Sequence, residues 1–264
     1  MKKINVGVIG GGFIGPVHVE SLRRLGNVDV VAIATSREEG AKKLAEQLCI
    51  PKAYGDYQAL IQDEQVQAVH ICTPNYLHYP MAKAAILAGK HVVCDKPLAM
   101  TAAQGEELRQ LASRQGVVAA VSFNLRFYPL IHQIKAMVQA GELGEIYAIN
   151  GSYQQDWLQL PQDYSWRLEP EQAGEARAIG DIGSHWLDGV EFMTGLKIEE
   201  VCADFATFLP VRKKPKKAMQ TFSGKLLKNE DYEDVQITTE DYASVLLHFA
   251  GGAHGTLTVN QAAA

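Results

Sequence analysis

The sequence predicts an α/β protein in two parts: a doubly wound parallel sheet over residues 1–122, then an α+β domain with a large, mostly antiparallel sheet over residues 123–264. Three observations predict it. In the first half, nearly unbroken apolar segments alternate with helix-patterned ones, as in a parallel sheet covered on both faces. The first apolar segment runs straight into a glycine-rich turn, Gly10-Gly11-Gly12-Phe13-Ile14-Gly15. In the second half, longer segments alternate polar with apolar residues, the mark of a sheet with one covered face.

The elements follow in order. INVGVIG (4–10) is a β-branched run closing in glycines, and PVHVESLRRL (16–25) reads as a helix with Pro16 in its first turn and Gly26 at its end. VDVVAIA (28–34) is the next strand and EEGAKKLAEQL (38–48) the next helix. QAVHICT (67–73), HYPMAKAAILAG (78–89), HVVCD (91–95), AAQGEELRQLASRQG (102–116) and VVAAVSF (117–123) repeat the alternation. Beyond it, LIHQIKAMVQAGELG (130–144) is an amphipathic helix ending in glycines. EIYAINGSYQQDW (145–157), IEEVCADFATFL (198–209), TEDYASVLLHFA (239–250) and AHGTLTVNQAAA (253–264) read as strands. RKKPKK (212–217) and KNEDYED (228–234) read as the flanks of a solvated loop. The last strand-like segment has no closing turn, so the natural chain is expected to continue past Ala264.

Charge and composition narrow the functional classes. The net charge is −5, split as 13 basic against 11 acidic residues before position 123 and 12 against 19 after it. Neither half has the basic face that nucleic-acid binding demands. No stretch has the length of a membrane span and the N-terminus is no signal peptide, so a cytoplasmic protein is expected. Cys49, Cys72, Cys94 and Cys202 show no CxxC spacing, and buried free thiols in a reducing compartment are expected.

The glycine turn fits G-x-G-x-x-G between a strand and a helix, a Rossmann-type dinucleotide fingerprint. Gly10 permits the tight turn, Gly12 the approach of a pyrophosphate, and Gly15 close packing of helix on strand. Phe13 and Ile14 complete the turn, and the helix N-terminus offers N–H groups to the phosphates. The second strand ends in Ala34-Thr35-Ser36-Arg37 rather than in an acid. Hydroxyls and a guanidinium at Ser36 and Arg37 suit a 2′-phosphate, so NADP is favoured over NAD, with solvated packing of Arg37 beside Glu38 and Glu39 as the alternative.

GDIGSHWLD (180–188) spaces Asp181, His185 and Asp188 along one face of a helix. Proton transfer, a metal site and a capped helix all remain open from the nonapeptide alone, because Asp is a common N-cap and a single histidine is often structural. No metal is expected, since the remaining histidines form no ligand pair at helical spacing. Tyr153-Gln154-Gln155-Asp156-Trp157 and Tyr164-Ser165-Trp166-Arg167 gather aromatic faces and polar groups that suit a pyranose or cyclitol ring, with a core or interface role as the alternative for each tryptophan.

In order along the chain stand the Gly10–Gly15 fingerprint, Cys72-Thr73-Pro74-Asn75 with His78, Asp95-Lys96-Pro97, Asn124-Leu125-Arg126-Phe127 and Asp181-x-Gly183-x-His185-x-x-Asp188. This ordered set resembles the glucose–fructose oxidoreductase/inositol dehydrogenase (Gfo/Idh/MocA) family of NAD(P)-dependent oxidoreductases over essentially the whole chain. Asp95 departs from the family's usual Glu, which leaves Lys96 in place. The resemblance implies hydride transfer between nicotinamide and a hydroxyl-bearing carbon of a sugar, anhydrosugar or cyclitol. It implies catalytic Lys96, Asp181 and His185, with Lys96 steadying the alkoxide and His185 exchanging the proton. It further implies cofactor contacts at Thr73, Pro74, Asn75, His78, Asp95 and Lys96. Substrate contacts are expected at Lys96, Arg126, Tyr153, Trp157, Trp166, Arg167, Asp181 and His185. QDWLQLPQDYSWRLEP is similar to members that act on anhydro or cyclic sugars. A homo-oligomer through the C-terminal sheet is expected. A non-catalytic sugar- or cofactor-sensing regulator and an NAD-using glycosidase are the other readings the same fold allows.

Overall fold

A computed structural model describes residues 3–216 and 231–263. The chain divides after Ser122 into two compact units. The first contains β1 (Ile4–Ile9), α1 (Ile14–Arg23), β2 (Val28–Ala34), α2 (Glu38–Gln47), β3 (Lys52–Tyr54), α3 (Tyr57–Gln62), β4 (Ala68–Ile71), α4 (His78–Leu87), β5 (His91–Cys94), α5 (Ala102–Gln115) and β6 (Ala119–Val121). The strands form one sheet in the order β3-β2-β1-β4-β5-β6. Every pairing is parallel. That is the doubly wound order, which reverses direction at β1 and β4 and opens a crevice at their carboxyl ends.

Alternate residues of the same strand explain the unbroken apolar runs. Val6, Val8 and Ile33 enter the cluster on one face, with Val19 and Leu22 of α1. Ile9, Ala32, Ala34, Val69 and Ile71 enter the other, with helical Met81, Ile86 and Leu108. Helices on both faces leave no polar side for the central strands. The pair β3 and α3 was not evident in the sequence: three residues show no period. The Asp56 side chain that accepts from Gln58 N at 3.0 Å is the local signal that starts α3.

The second unit contains α6 (Pro129–Gln139), β7 (Ala148–Gln154), α7 (Pro170–Ala173), α8 (Ser184–Thr194), β8 (Ile198–Ala206), β9 (Val211–Pro215), β10 (Tyr232–Gln236), β11 (Tyr242–Phe249) and β12 (His254–Asn260). Its main sheet has the order β7-β12-β11-β8. The β7/β12 pair is parallel and the other two are antiparallel, so the sheet is mixed. One face is covered by α8 and the turn before it, whose Ile182, Trp186, Leu187 and Val190 pack on Val245, Leu247, Leu257 and Val259. The opposite face of β11 carries exposed Leu246 and His248.

Three expectations are corrected here. The basic run is not itself solvated loop: Val211–Pro215 is a strand paired antiparallel with β10, and Arg212 within it is fully buried, while the loop that the two runs flank lies outside the described residues. Lys217 and residues 228–230 of the two expected loop flanks lie outside the described residues. Only Cys72 and Cys94 are buried, at the ends of β4 and β5, whereas Cys49 and Cys202 are exposed. Apolar neighbours in sequence do not bury a residue on the open face of an edge strand such as β8. Finally, β12 ends at Asn260, short of the expected strand end, and Gln261 N bonds Asp241 O at 2.9 Å in continuation of the β11/β12 register. Among the described residues, no helix is long and apolar enough to cross a membrane.

Candidate active site

The glycine turn is shaped as a cradle. Gly10 leaves β1 with φ +112°, where an added β-carbon would stand 2.4 Å from the carbonyl oxygen of Cys72. At Gly15 a β-carbon would stand 2.1 Å from the Gly10 oxygen, so the turn closes against the first residues of α1 only without side chains there. At Gly12 the same atom would meet nothing within 4 Å. The turn therefore has room at one position, the one where a pyrophosphate comes closest to the backbone. No side chain caps α1, so its first N–H groups face that opening, and exposed Phe13 stands beside it with Ile14 as first helical residue. The residues fit a dinucleotide.

At the end of β2, Thr35 Oγ1 bonds Arg37 O at 2.9 Å and sets the turn into α2. Ser36 and Arg37 are both exposed there. Glu38 is paired with Lys42 at 2.6 Å along the same helix.

The next two motifs are tied to each other through His78. Its ring is completely buried, with Nδ1 2.6 Å from Pro97 O and Nε2 2.8 Å from Thr73 O. His78 was expected to contact the cofactor; with no exposed atom it instead braces the Thr73 turn against the Lys96-Pro97 turn. Thr73, Pro74 and Asn75 are half-buried around the short 3₁₀ turn Asn75–Leu77. The Asp95 carboxylate accepts from Lys96 N at 2.8 Å, which shapes the segment that carries Lys96.

In the second unit, the segment before α8 is a π turn, Ile179–Gly183, running directly into that helix. Asp181 lies inside the turn and no side chain caps either segment, so the N-cap reading of Asp181 is ruled out. π turns interrupt helices at an energetic cost and recur at functional positions. The Asp181 carboxylate is 3.3 Å from Arg167 Nε and accepts from Gln261 Nε2 at 2.9 Å. One helical turn on, the His185 ring meets Phe123 edge to face at 5.6 Å and Tyr153 at 6.4 Å. Burial, the largest cause, raises the Tyr153 hydroxyl above its ordinary range, and the nearby charge of Asp181 adds to it. Arg167 lies over the Trp166 ring at 4.6 Å. Trp157 is partly exposed.

Asp188 does not join this group. It takes Arg126 in a two-point ion pair, Nε to Oδ2 at 2.6 Å and Nη2 to Oδ1, with the guanidinium 5.2 Å from the Phe192 ring. Arg126, expected to bind substrate, thus has its fork engaged in holding the Asn124–Phe127 turn to α8. Behind Asp181 lies a buried ion cluster. Arg177 and Arg212 both reach Asp241 Oδ1, and all three side chains have no exposed surface. The pairing links three segments distant in sequence, so no local spacing reveals it.

Residues 4–123 match the oxidoreductase family with an NAD-binding Rossmann fold, and residues 131–264 match the GFO/IDH/MocA C-terminal domain. The chain belongs to the Gfo/Idh/MocA family. It is 30% identical over 266 residues to a levoglucosan dehydrogenase of Pseudarthrobacter phenanthrenivorans, covering 97% of this chain and 67% of that one. A myo-inositol 2-dehydrogenase of Thermotoga maritima is 30% identical over 205 residues, 76% of this chain and 58% of that one. Among solved structures, an NAD binding oxidoreductase from Klebsiella pneumoniae shares 35% identity at TM-score 0.88, over 99% of this chain and 68% of that one. A levoglucosan dehydrogenase in complex with NADH and L-sorbose shares 29% identity at TM-score 0.89, over 100% and 68%. The chain thus spans between about half and two thirds of the length of the relatives it matches. Its first unit is the family's NAD-binding domain.

Proposed function

We propose that this chain carries an NAD(P)-dependent dehydrogenase activity on a hydroxyl-bearing carbon of a sugar, anhydrosugar or cyclitol. The observation that carries the reading is the arrangement around the π turn: a carboxylate held by a guanidinium and an amide, one helical turn from an imidazole set against aromatic rings. The bound nicotinamide would supply hydride uptake, with Gly10, Gly12 and Gly15 shaping its phosphate cradle. Hydride leaves a carbinol carbon only as the hydroxyl proton is removed. His185 serves as the acceptor of that proton in oxidation and its donor in reduction, because imidazole titrates near neutral pH. Asp181 holds positive charge and hydroxyl hydrogens near that proton. Lys96 steadies the oxygen as it becomes negative. Tyr153, Trp157, Trp166 and Arg167 offer flat faces and fixed donors to a ring-shaped polyol, the substrate class named for the levoglucosan and inositol dehydrogenase relatives. Ser36 and Arg37 admit NADP as well as NAD. Self-association through the open face of the β7-β12-β11-β8 sheet and a cytoplasmic location belong to the same reading.

A panel of levoglucosan, myo-inositol and aldoses with either dinucleotide, followed by absorbance of the reduced nicotinamide, tests it. His185→Ala and Lys96→Met are expected to lower kcat about 10²–10⁴-fold, the worth of a positioned acid–base group, and His185→Ala does so with cofactor binding unchanged. Turnover on no polyol, or variants as fast as the parent, would refute the proposal.

A further inference from the structure

We infer that Gln261, fixed by the buried Arg177, is a positioning residue for the Asp181 carboxylate; this rests on the reading of Asp181 as part of the reacting site. Gln261 is completely buried at the end of β12. Its Nε2 donates to Asp181 Oδ2 at 2.9 Å, and its Oε1 accepts from Arg177 Nη1 at 3.2 Å. A guanidinium has only donors and an ionised carboxylate only acceptors, so the amide between them has one permitted sense. Its N–H must face Asp181.

Arg177 is in turn held against rotation. Nε donates to Thr239 Oγ1 at 3.0 Å and Nη2 to Asp241 Oδ1. The backbone beneath Asp181 is anchored by the same short turn. Glu240 accepts from Arg177 N at 2.9 Å with one oxygen and from Ile179 N at 3.0 Å with the other. Asp181 N then bonds Arg177 O at 2.7 Å. The residues Thr239-Glu240-Asp241 therefore set the start of the π turn, and Gln261 sets the carboxylate that the turn presents. An ion cluster serving stability alone closes on Arg177, Asp241 and Arg212. Gln261 carries it one step further, to a side chain that is only half-buried and that also meets Arg167.

The charged and titratable groups around Asp181 include Arg167, Tyr153, His185 one helical turn on and, through Gln261, Arg177. The test is a ¹³C-NMR titration of aspartate-labelled protein, with the Asp181 signal assigned by its loss in Asp181→Asn, beside steady-state kinetics. Gln261→Met removes the donor at nearly constant volume and is expected to raise the Asp181 midpoint by about one pH unit, because a hydrogen bond to the charged form is lost. The same variant is expected to lower kcat about 10- to 100-fold with the dinucleotide KM within about twofold, the scale of a displaced reacting group. Gln261→Glu keeps the acceptor for Arg177 but turns a carboxylate on Asp181, so its midpoint rises further; it carries the test if Gln261→Met does not fold. A folded Gln261 variant with unmoved midpoint and kcat overturns the inference, while Asp181→Asn still loses activity. Full activity in Asp181→Asn overturns the reading on which it rests.

Discussion

Gly12→Ala and Gly15→Ala form a matched pair that separates a ligand cradle from a structural turn. A β-carbon at Gly12 meets no atom within 4 Å, and Gly12 is not among the glycines of positive φ. Alanine there strains nothing and stiffens the unfolded chain, which stabilises by about 0.4–1 kcal/mol. The melting temperature is expected to hold or to rise by about 1–4 °C. The methyl group, however, occupies the approach of the pyrophosphate. Losing one charge-assisted N–H to phosphate bond costs about 1.5–3 kcal/mol. That weakens dinucleotide binding about 10- to 150-fold. At Gly15 the new carbon lies 2.1 Å from a backbone oxygen, which no side-chain rotation can relieve. Overpacking of that kind costs about 1–3 kcal/mol or more, so stability and binding fall together. Thermal melting beside NADH titration by calorimetry reads both effects. Wild-type NADH affinity in Gly12→Ala, or a Gly12→Ala melting loss equal to that of Gly15→Ala, would refute the cradle.

Two further outcomes follow from buried groups. Asp241→Asn removes the carboxylate that the Arg177 and Arg212 guanidiniums share, and is expected to cost about 3–5 kcal/mol by urea unfolding; a loss below about 1 kcal/mol would mean that the pair is held by its other partners. Burial, the largest cause, pushes the His70 imidazole from its ordinary 6.5 down to about 4, and His18, 2.9 Å away through the Nδ1 atoms, is lowered as well. Because the folded state favours neutral His70, the stability it contributes is present above about pH 6.5 and is lost as pH falls towards 4, up to about 3 kcal/mol. His70→Gln should flatten that slope in urea titrations between pH 7 and 4.5, and an unchanged slope would place its cause elsewhere.

What was legible in the sequence is what local spacing encodes. The parallel sheet could be read because strands such as β1 and β2 place alternate residues into two separate buried clusters, which leaves them apolar throughout. The glycine turn could be read because the absence of side chains is itself the geometric requirement. The short β3 escaped because three residues show no period. Strand β9 escaped for a different reason. A run such as RKKPKK is normally solvated, since burying a guanidinium without partners is prohibitive. Arg212 is buried because Asp241 and the carbonyls of Leu158, Leu160 and Asp163 accept from its two terminal nitrogens, and none of them is near it in sequence.

The same distinction separates the residues around the π turn. From spacing alone, Asp181 is a helix cap, a metal ligand or a reacting acid, and the family resemblance makes Arg126 a substrate ligand. For each, the structure adds a partner at least 60 positions away: Gln261 for Asp181, Asp188 for Arg126. A cap is a contact within a few residues, whereas the Asp181 carboxylate accepts from Gln261, far along the chain. Such donors have a consequence that a cap lacks. They orient the side chain without engaging the N–H groups of its own helix, so a change at Gln261 can move the carboxylate while α8 stays in place. Arg126 shows the converse. An exposed guanidinium in a motif looks available for a ligand, yet a half-buried carboxylate one helix away claims both arms of its fork, and two parallel charge-assisted bonds hold it there more firmly than a transient sugar hydroxyl could.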